Sequence, residues 1–135
     1  MDRRTFLAAT GVGAATALAG CFGTGLADSE FDVEMLANAF RPQQIEVSVG
    51  DTVVWGNTAS RGHSVTAYAD GLPEGAAYFA SGGFDTEDAA RNGYPDGNIV
   101  SGETYSHTFE TPGDHRYFCI PHERGGMVGT VVVRE

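Results

Sequence analysis

A cysteine, a histidine and a methionine lie close together near the end of the sequence, in the stretch YFCIPHERGGM over residues 117–127. Cys119 precedes His122 by three residues, and Met127 follows His122 by five. Thiolate, imidazole and thioether groups are ligands for transition metals. Because the stretch is typical of a strand, a turn and a second strand, a sharp chain reversal would bring all three side chains to one point. A fourth donor must come from elsewhere, and His63 is the best candidate because it starts a strand after WGNTASRG.

Each of these four residues also has an ordinary structural explanation. A cysteine is often buried without binding anything, a histidine in a turn is commonly a surface residue, and a methionine beside a strand commonly belongs to the core. The joint spacing favours one shared metal site over four independent explanations. Two histidines and one cysteine in a plane, with a long axial methionine, form a blue-copper electron-transfer site. A zinc site more often recruits a fourth strong donor.

Short runs with strand character dominate the region around these residues. Such runs are FDVEML, QQIEVSV, TVVWGN, HSVTAY, ETYSHTFE, HRYFC and MVGTVVV. Turn signals, such as Gly50-Asp51 and TPGD at 111–114, separate them, and 19 glycines fit a turn-rich chain. Short alternating strands with frequent turns predict an all-β fold, an antiparallel sandwich or barrel.

One region, residues 68–100, departs from this rhythm and is rich in glycine and aspartate. Within it, DTEDAARNG at 85–93 predicts a helix of one or two turns. Asp85 or Thr86 would cap its N-terminus, and Gly93 would be the first residue past its C-terminus. We expect the rest to be a long loop with a short edge strand, and loops of this length are usually functional or ordered by local packing.

The N-terminus has the pattern of an export signal. DRRTFL at 2–7 is followed by a short run rich in alanine, glycine and threonine, which ends in LAGC at 18–21. The arginine pair resembles the twin-arginine signal, and LAGC resembles the cleavage site of lipoproteins. We therefore expect a cleaved signal over residues 1–20, a lipid on Cys21, and a protein held at the outer face of the cell membrane.

The mature chain would then consist of a flexible tether over residues 21–30 and one folded domain over residues 31–135. A chain of this size can bury a sufficient core without cross-links. With Cys21 lipidated, Cys119 has no partner for a disulfide within the chain, although an exported protein could form one.

The charge of the sequence is strongly acidic, with 18 acidic side chains against 8 basic ones, all of them arginine. Removing residues 1–20 takes away Asp2, Arg3 and Arg4 and leaves 17 against 6, a net charge of −11. This charge argues against binding nucleic acid or anionic lipid through a basic patch. Two explanations stay open: the charge steers a cationic partner, or the whole surface is adapted to high salt, where steering is weak.

The sequence resembles the plastocyanin-like cupredoxins in two stretches. TPGDHRYFCIPHERGGMVGTVVV is similar to their C-terminal ligand loop, and RPQQIEVSVGDTVVWGNTASRGHS to the strand pair that leads to their first ligand histidine. With its leader and acidic composition, the whole chain resembles the halocyanins, membrane-attached blue-copper proteins of haloarchaea. The resemblance covers residues 31–67 and 101–135 well and implies an antiparallel Greek-key β-sandwich. It also implies one type 1 copper ion per chain, bound by His63, Cys119 and His122 with Met127 as axial ligand.

Some positions depart from the family pattern or need a separate prediction. His115 stands where many relatives have tyrosine, and we expect a structural role for it, away from the metal. Ser64 replaces a frequent asparagine, yet its hydroxyl could still tie the ligand loops together. The carbonyl of Gly62 could approach the metal as a weak contact. His107 alternates with aromatic residues on a strand and is predicted to be a surface or rim histidine.

The function that the resemblance implies is one-electron transfer between membrane-bound redox complexes, with the edge of His122 facing a transiently docked partner. A copper carrier or storage module without redox duty is the alternative. An enzyme such as a copper oxidase would need a second metal site with several histidines, and the chain has only four histidines. We therefore expect a monomeric electron carrier and no enzyme.

Overall fold

The computed structural model describes residues 26–135. The strands in this part are β1 Val33–Met35, β2 Phe40–Arg41, β3 Gln44–Ser48, β4 Thr52–Asn57, β5 Thr66–Ala67, β6 Thr104–Thr108, β7 Gly113–Phe118 and β8 Val128–Arg134. Helix α1 spans Glu87–Gly93, and 3-10 turns cover Asp28–Glu30, Ala69–Gly71 and Ile120–Gly125. The predicted export signal, Cys21 and the first part of the predicted tether lie outside the described residues. The last part of that tether forms the first of the three turns.

The strands form two sheets of four, with the orders β2-β1-β4-β6 and β3-β8-β7-β5. The apolar side chains of both sheets meet between them. Along β4 and β8, for example, fully buried residues such as Val53 and Val131 alternate with partly exposed ones. The prediction of an all-β sandwich is therefore confirmed.

The pairing direction differs in part from the antiparallel arrangement that was expected. β4–β6, β7–β8, β5–β7 and β1–β2 are antiparallel, but β1 pairs with β4 and β3 pairs with β8 in parallel. Between the two strands of each parallel pair, the chain crosses to the opposite sheet and back. The second strand of the pair can therefore run in the same direction as the first. Alternation along a strand reports which face is buried but not the direction of its neighbour.

The core is built around Trp55 of β4, which is fully buried. Its ring lies 5.3 Å from that of Tyr117 on β7 and 5.6 Å from that of Tyr105 on β6, measured between centroids. Phe79 and Phe109 complete the cluster at 6.2 and 6.4 Å. Such tilted and edge-to-face contacts are favourable beyond the area they bury, so the cluster holds the two sheets in a fixed relation.

The segment over residues 68–100 is folded onto the end of the sandwich beside β5. Phe79 accepts a backbone hydrogen bond from Ala67 at 3.0 Å, and Ser81 donates one to Val65 at 2.7 Å. These bonds extend the sheet beyond β5, as predicted for a short edge strand. Phe79 is itself buried in the core, so the segment contributes to the fold and is not merely a surface loop.

The predicted helix in this segment is confirmed as α1, with one correction. Thr86 caps it, because its hydroxyl accepts a hydrogen bond from the backbone N–H of Ala89 at 3.0 Å. Gly93, however, is the last residue of the helix and not the first one past it. A Cβ atom at Gly93 would lie 2.5 Å from the ring of Phe84. The glycine therefore permits close packing and does not supply a left-handed turn.

Within residues 26–135, none of the helices has the length and apolar character needed to cross a lipid bilayer.

Candidate metal centre

The chain reversal between β7 and β8 brings three of the four predicted ligand residues into one turn. Cys119 directly follows β7, His122 lies within the 3-10 turn Ile120–Gly125, and Met127 directly precedes β8. The backbone N–H of Cys119 donates to the carbonyl of Met127 at 3.0 Å, and that of Met127 donates to the carbonyl of His122 at 3.2 Å. Gly126 closes the turn at φ 91°, in the left-handed region that favours glycine.

The fourth residue, His63, is held by backbone pairing with the far end of the 68–100 segment. Its N–H donates to the carbonyl of Ile99 at 3.1 Å, and the N–H of Ile99 donates to the carbonyl of His63 at 2.7 Å. The loop that leads to His63 is organised by the fully buried Asn57 at the end of β4. Its amide donates to the carbonyls of Arg61 at 2.7 Å and Ile99 at 2.8 Å, and its oxygen accepts from Ala59 at 2.8 Å.

The donor atoms of His63, Cys119 and His122 all lie within 4.8 Å of one another. Sγ of Cys119 is 3.6 Å from Nδ1 of His63 and 3.5 Å from Nδ1 of His122. Cys119, His63 and Met127 are fully buried, whereas His122 is partly exposed. The cluster is thus closed on the protein side, and a single imidazole edge leads to the surface.

The surroundings keep both imidazoles in the neutral form that binds metals. The pKa of His63 is lowered to about 4, chiefly by burial and then by electrostatic repulsion from His122 and Arg61, while a hydrogen bond with the backbone of Leu36 acts in the opposite direction. Burial and then Arg61 lower the pKa of His122. Both rings therefore stay neutral at neutral pH, with their lone pairs available to a cation.

The thiol of Cys119 is in the opposite situation. Burial raises its pKa, and hydrogen bonds from Ser64 and His122 only partly offset this effect. A buried thiol beside two neutral imidazoles is a poor acid until a cation arrives. A metal ion that compensates the thiolate charge would favour its ionisation. The donor set therefore fits a soft or borderline transition metal such as copper.

Ser64 connects the two parts of the chain that carry the predicted ligands, as expected from the sequence. Its hydroxyl accepts a hydrogen bond from the backbone N–H of Ile120 at 2.8 Å. Its own N–H donates to Sγ of Cys119 at 3.4 Å. A donor to the sulfur both orients the thiolate and withdraws charge from it, which is how groups outside the ligand set tune a metal site.

Three residues that position the site were missed from the sequence. The first is Asn57, described above, whose signal was a polar residue that ends the apolar strand TVVWGN. The second is Asn98, whose side-chain oxygen would lie 2.2 Å from a Cβ atom at Gly62. A side chain at position 62, directly before His63, would therefore displace the amide of Asn98. The contact of the Gly62 carbonyl with a metal stays a prediction.

The third missed residue is Arg91 on α1, which binds the turn that carries His122. Its guanidinium donates to the two carboxylate oxygens of Glu123 at 2.8 and 3.3 Å and lies 4.2 Å from the ring centroid of Phe118. The hydroxyl of Tyr68 donates to the same carboxylate at 2.6 Å. These contacts, Arg91 first, lower the pKa of Glu123. We call Arg91, Glu123 and Tyr68 the Glu123 clamp.

The two remaining histidines lie outside the cluster. His115 is buried, and its Nε2 is 2.8 Å from the carbonyl of Thr111, to which it donates, so it has a structural place. His107 is partly exposed, in agreement with a rim position, but its ring also stacks on that of Phe79 at 4.7 Å. Both rings contact Phe109, at 4.7 and 5.0 Å between centroids, and thus pack beside the aromatic core.

Comparisons with known proteins agree on the family. Residues 27–134 match the family described as copper binding proteins, plastocyanin/azurin family. The chain is 37% identical over 97 residues to plastocyanin from Vicia faba, which covers 70% of this chain and 87% of that protein.

Solved structures show the same similarity. A pseudoazurin from Sinorhizobium is 30% identical with a TM-score of 0.57, over 76% of this chain and 72% of that chain. A copper-containing nitrite reductase from Thermus scotoductus is 26% identical with a TM-score of 0.57, over 76% of this chain but only 22% of the larger one. Copper is the metal that fits both the family and the cluster of donors. The chain therefore belongs to the plastocyanin/azurin family of copper-binding proteins.

Proposed function

We propose that this protein is a blue-copper electron carrier of the halocyanin kind, which shuttles single electrons between membrane-bound redox complexes. The observation that carries the proposal is the cluster of three donor atoms within 4.8 Å, of which only His122 reaches the surface. In this proposal His63, Cys119 and His122 bind the copper ion, and Met127 is its axial ligand. Bound copper supplies a one-electron couple between its two oxidation states.

The residues around the cluster support this role by keeping its geometry constant. The backbone bonds between Cys119, His122 and Met127 and the bridge from Ser64 to Ile120 hold both ligand loops in place. A site that does not rearrange loses little energy in reorganisation when its charge changes. The exposed edge of His122 offers the shortest path to a docked partner, while burial of Cys119 and His63 excludes water.

The same burial favours electron transfer over the alternative of a copper carrier, because a carrier needs ligands that an acceptor can reach. Two of the three clustered donors are inaccessible, and they come from parts of the chain that are 56 residues apart. An enzyme with a second copper site has little support here, since His107 and His115 pack beside the aromatic core. We propose a monomer without nucleic-acid partners.

The decisive experiment is to load the purified protein with Cu(II) and to record its visible spectrum and reduction potential. We expect an intense sulfur-to-copper band and reversible one-electron reduction. Cys119→Ser should abolish the band while leaving the far-ultraviolet dichroism of a folded β-protein, and Met127→Leu should keep the band but shift the potential. Absence of the band in the unsubstituted protein would refute the proposal. Rapid copper loss to a chelator without reversible reduction would favour the carrier.

Export and membrane attachment through Cys21 belong to the same proposal. They rest on the leader sequence, and the lysine-free acidic composition supports a haloarchaeal origin. We expect the expressed protein in the membrane fraction and Cys21→Ser in the soluble fraction. An equal distribution of the two proteins would contradict the lipid anchor.

A further inference from the structure

The short loop after α1 leads from the helix to the backbone partner of His63. Its first residue, Tyr94, donates a backbone hydrogen bond to the carbonyl of Ala90 in α1 at 3.2 Å. Its last residue, Asn98, directly precedes Ile99, whose backbone is paired with that of His63 in both directions. The loop is therefore fixed to α1 at one end and to a predicted ligand at the other.

The side chain of Asn98 lies directly against the residue before His63. A Cβ atom at Gly62 would be 2.2 Å from Oδ1, 2.6 Å from Nδ2 and 2.8 Å from Cγ of Asn98, so the amide covers the face of Gly62 where a side chain would begin. Gly62 is not among the glycines with positive φ, and its backbone conformation is open to other residues. The room that Asn98 occupies therefore explains this glycine, and the amide forms a wall against which the residue before His63 packs.

Tyr94 controls the orientation of this amide. Its hydroxyl donates to Oδ1 of Asn98 at 3.0 Å, and within residues 26–135 this is the single hydrogen bond of the Asn98 side chain. Burial and then repulsion from the thiolate form of Cys119 raise the pKa of Tyr94, so the phenol stays protonated and remains a donor at neutral pH. The effect of Cys119 also shows that the phenol lies within electrostatic reach of the metal cluster.

We propose that Tyr94 and Asn98 are positioning residues of the metal centre, and we call them the Tyr94–Asn98 pair. Tyr94 orients the amide of Asn98, and the amide fixes Gly62 and with it the imidazole of His63. This inference rests on the proposed function and deepens it by naming two residues outside the ligand set that tune the one-electron couple. Thiolate and thioether ligands favour Cu(I), whereas the dipole of a firmly held imidazole interacts more strongly with the more highly charged Cu(II). Loosening His63 should therefore favour the reduced state and raise the reduction potential.

The first test measures the equilibrium in which the copper-loaded protein takes one electron from hexacyanoferrate(II), which becomes hexacyanoferrate(III). The net value of one hydrogen bond corresponds to at most about a fivefold change in such an equilibrium constant. Tyr94→Phe and Asn98→Ala should therefore each raise the equilibrium constant for reduction by about two- to fivefold, which corresponds to about 20–40 mV for a one-electron couple. The double variant should show the same rise as Asn98→Ala alone, because both changes act through one amide.

The matched control is Tyr78→Phe, which removes another hydroxyl of the 68–100 segment, one that donates to the carbonyl of Ala67 at 2.8 Å. It should lower the free energy of unfolding as much as Tyr94→Phe does, but it should leave the equilibrium constant for reduction unchanged. Asn92→Ala, at an exposed position of α1, is the control for Asn98→Ala. If controls and test variants shift the equilibrium equally, the pair has only a structural role and the inference is overturned.

A second test uses the close contact between Gly62 and Asn98 and needs no bound metal. Gly62→Ala places a methyl group against the amide, whereas Asn98→Ala removes the three atoms that the methyl group would meet. The readout is hydrogen exchange of the backbone N–H groups of His63 and Ile99 in the metal-free, full-length protein. Gly62→Ala should speed both exchanges by about fivefold or more, and the double variant should exchange more slowly than Gly62→Ala alone. A double variant that exchanges as fast as Gly62→Ala would overturn the inference, because the amide would not be what fixes the loop.

Failure of this inference is distinguishable from failure of the proposed function. If the unsubstituted protein lacks the sulfur-to-copper band, the blue-copper function is wrong, and the exchange measurements still decide whether the Tyr94–Asn98 pair fixes His63. If every variant keeps the band but the equilibrium with hexacyanoferrate does not separate the test variants from the controls, the inference is wrong and the proposed function stands.

Discussion

The Glu123 clamp offers the sharpest test of how the 68–100 segment supports the metal centre. Arg91→Met would remove the charge-assisted hydrogen bonds of the guanidinium to Glu123 and Glu87 and its contact with the ring of Phe118. The side chain of Arg91 is 36% exposed, so each contact contributes less to the free energy of unfolding than the same contact would in the protein interior. Summing modest values for a partly exposed pair and a cation–π contact, we expect a loss of about 2 kcal/mol in the free energy of unfolding.

This loss corresponds to a fall in Tm of about 8 °C for a domain of this size. Urea and thermal unfolding of the copper-loaded protein would measure both quantities. Arg134→Met is the matched control, because it breaks the exposed pair with Glu46 and should cost at most about 0.5 kcal/mol. A double-mutant cycle with Glu123→Gln should give a coupling energy of about 1 kcal/mol. If Arg91→Met and the control are equally stable, α1 does not stabilise the ligand turn and the reasoning is refuted.

Three further predictions follow from individual side chains. Asn57→Ala should lower the free energy of unfolding by about 3 kcal/mol, because three hydrogen bonds lose their partner. As a control, Asn38→Ala at an exposed position should change it by less than about 0.5 kcal/mol. Burial lowers the pKa of His115 below its usual 6.5, so the stability that it contributes is present above that pH and is lost as the pH falls towards the folded pKa. In the copper-loaded protein, the free energy of unfolding should therefore depend less steeply on pH below pH 6.5 after His115→Gln, by up to about 1.4 kcal/mol per pH unit. An unchanged pH dependence would contradict the conclusion that the buried ring of His115 is neutral. Gly93→Ala should destabilise the domain by about 1–3 kcal/mol, because the added methyl meets Phe84; a gain in stability, as expected for an exposed helical glycine, would show that Phe84 moves aside without cost.

Local patterns in the sequence were sufficient for much of the architecture. Alternation in runs such as QQIEVSV predicted strands because burial of one face repeats every two residues. DTEDAARNG predicted α1, with Asp85 or Thr86 as its cap, because capping depends on residues that are adjacent in the chain; the structure has Thr86. The turn with Cys119, His122 and Met127 could also be predicted, since all three lie between two strands that must reverse direction.

The contacts that connect distant parts of the chain could not be predicted in this way. No local pattern reports that β1 runs parallel to β4, or that Asn98 packs against the residue before His63. The Glu123 clamp joins residues 32 positions apart, and neither Arg91 nor Glu123 differs by itself from any other surface charge.

The sequence by itself therefore determined which elements form and which side chains have the chemistry to bind copper. Both depend on residue type and on short-range spacing. The tertiary structure decided that His63 meets Cys119 across 56 residues, with their donor atoms 3.6 Å apart, and that of the three clustered side chains only His122 remains at the surface. These facts depend on how two sheets pack and where loops close, and packing is a property of the whole chain.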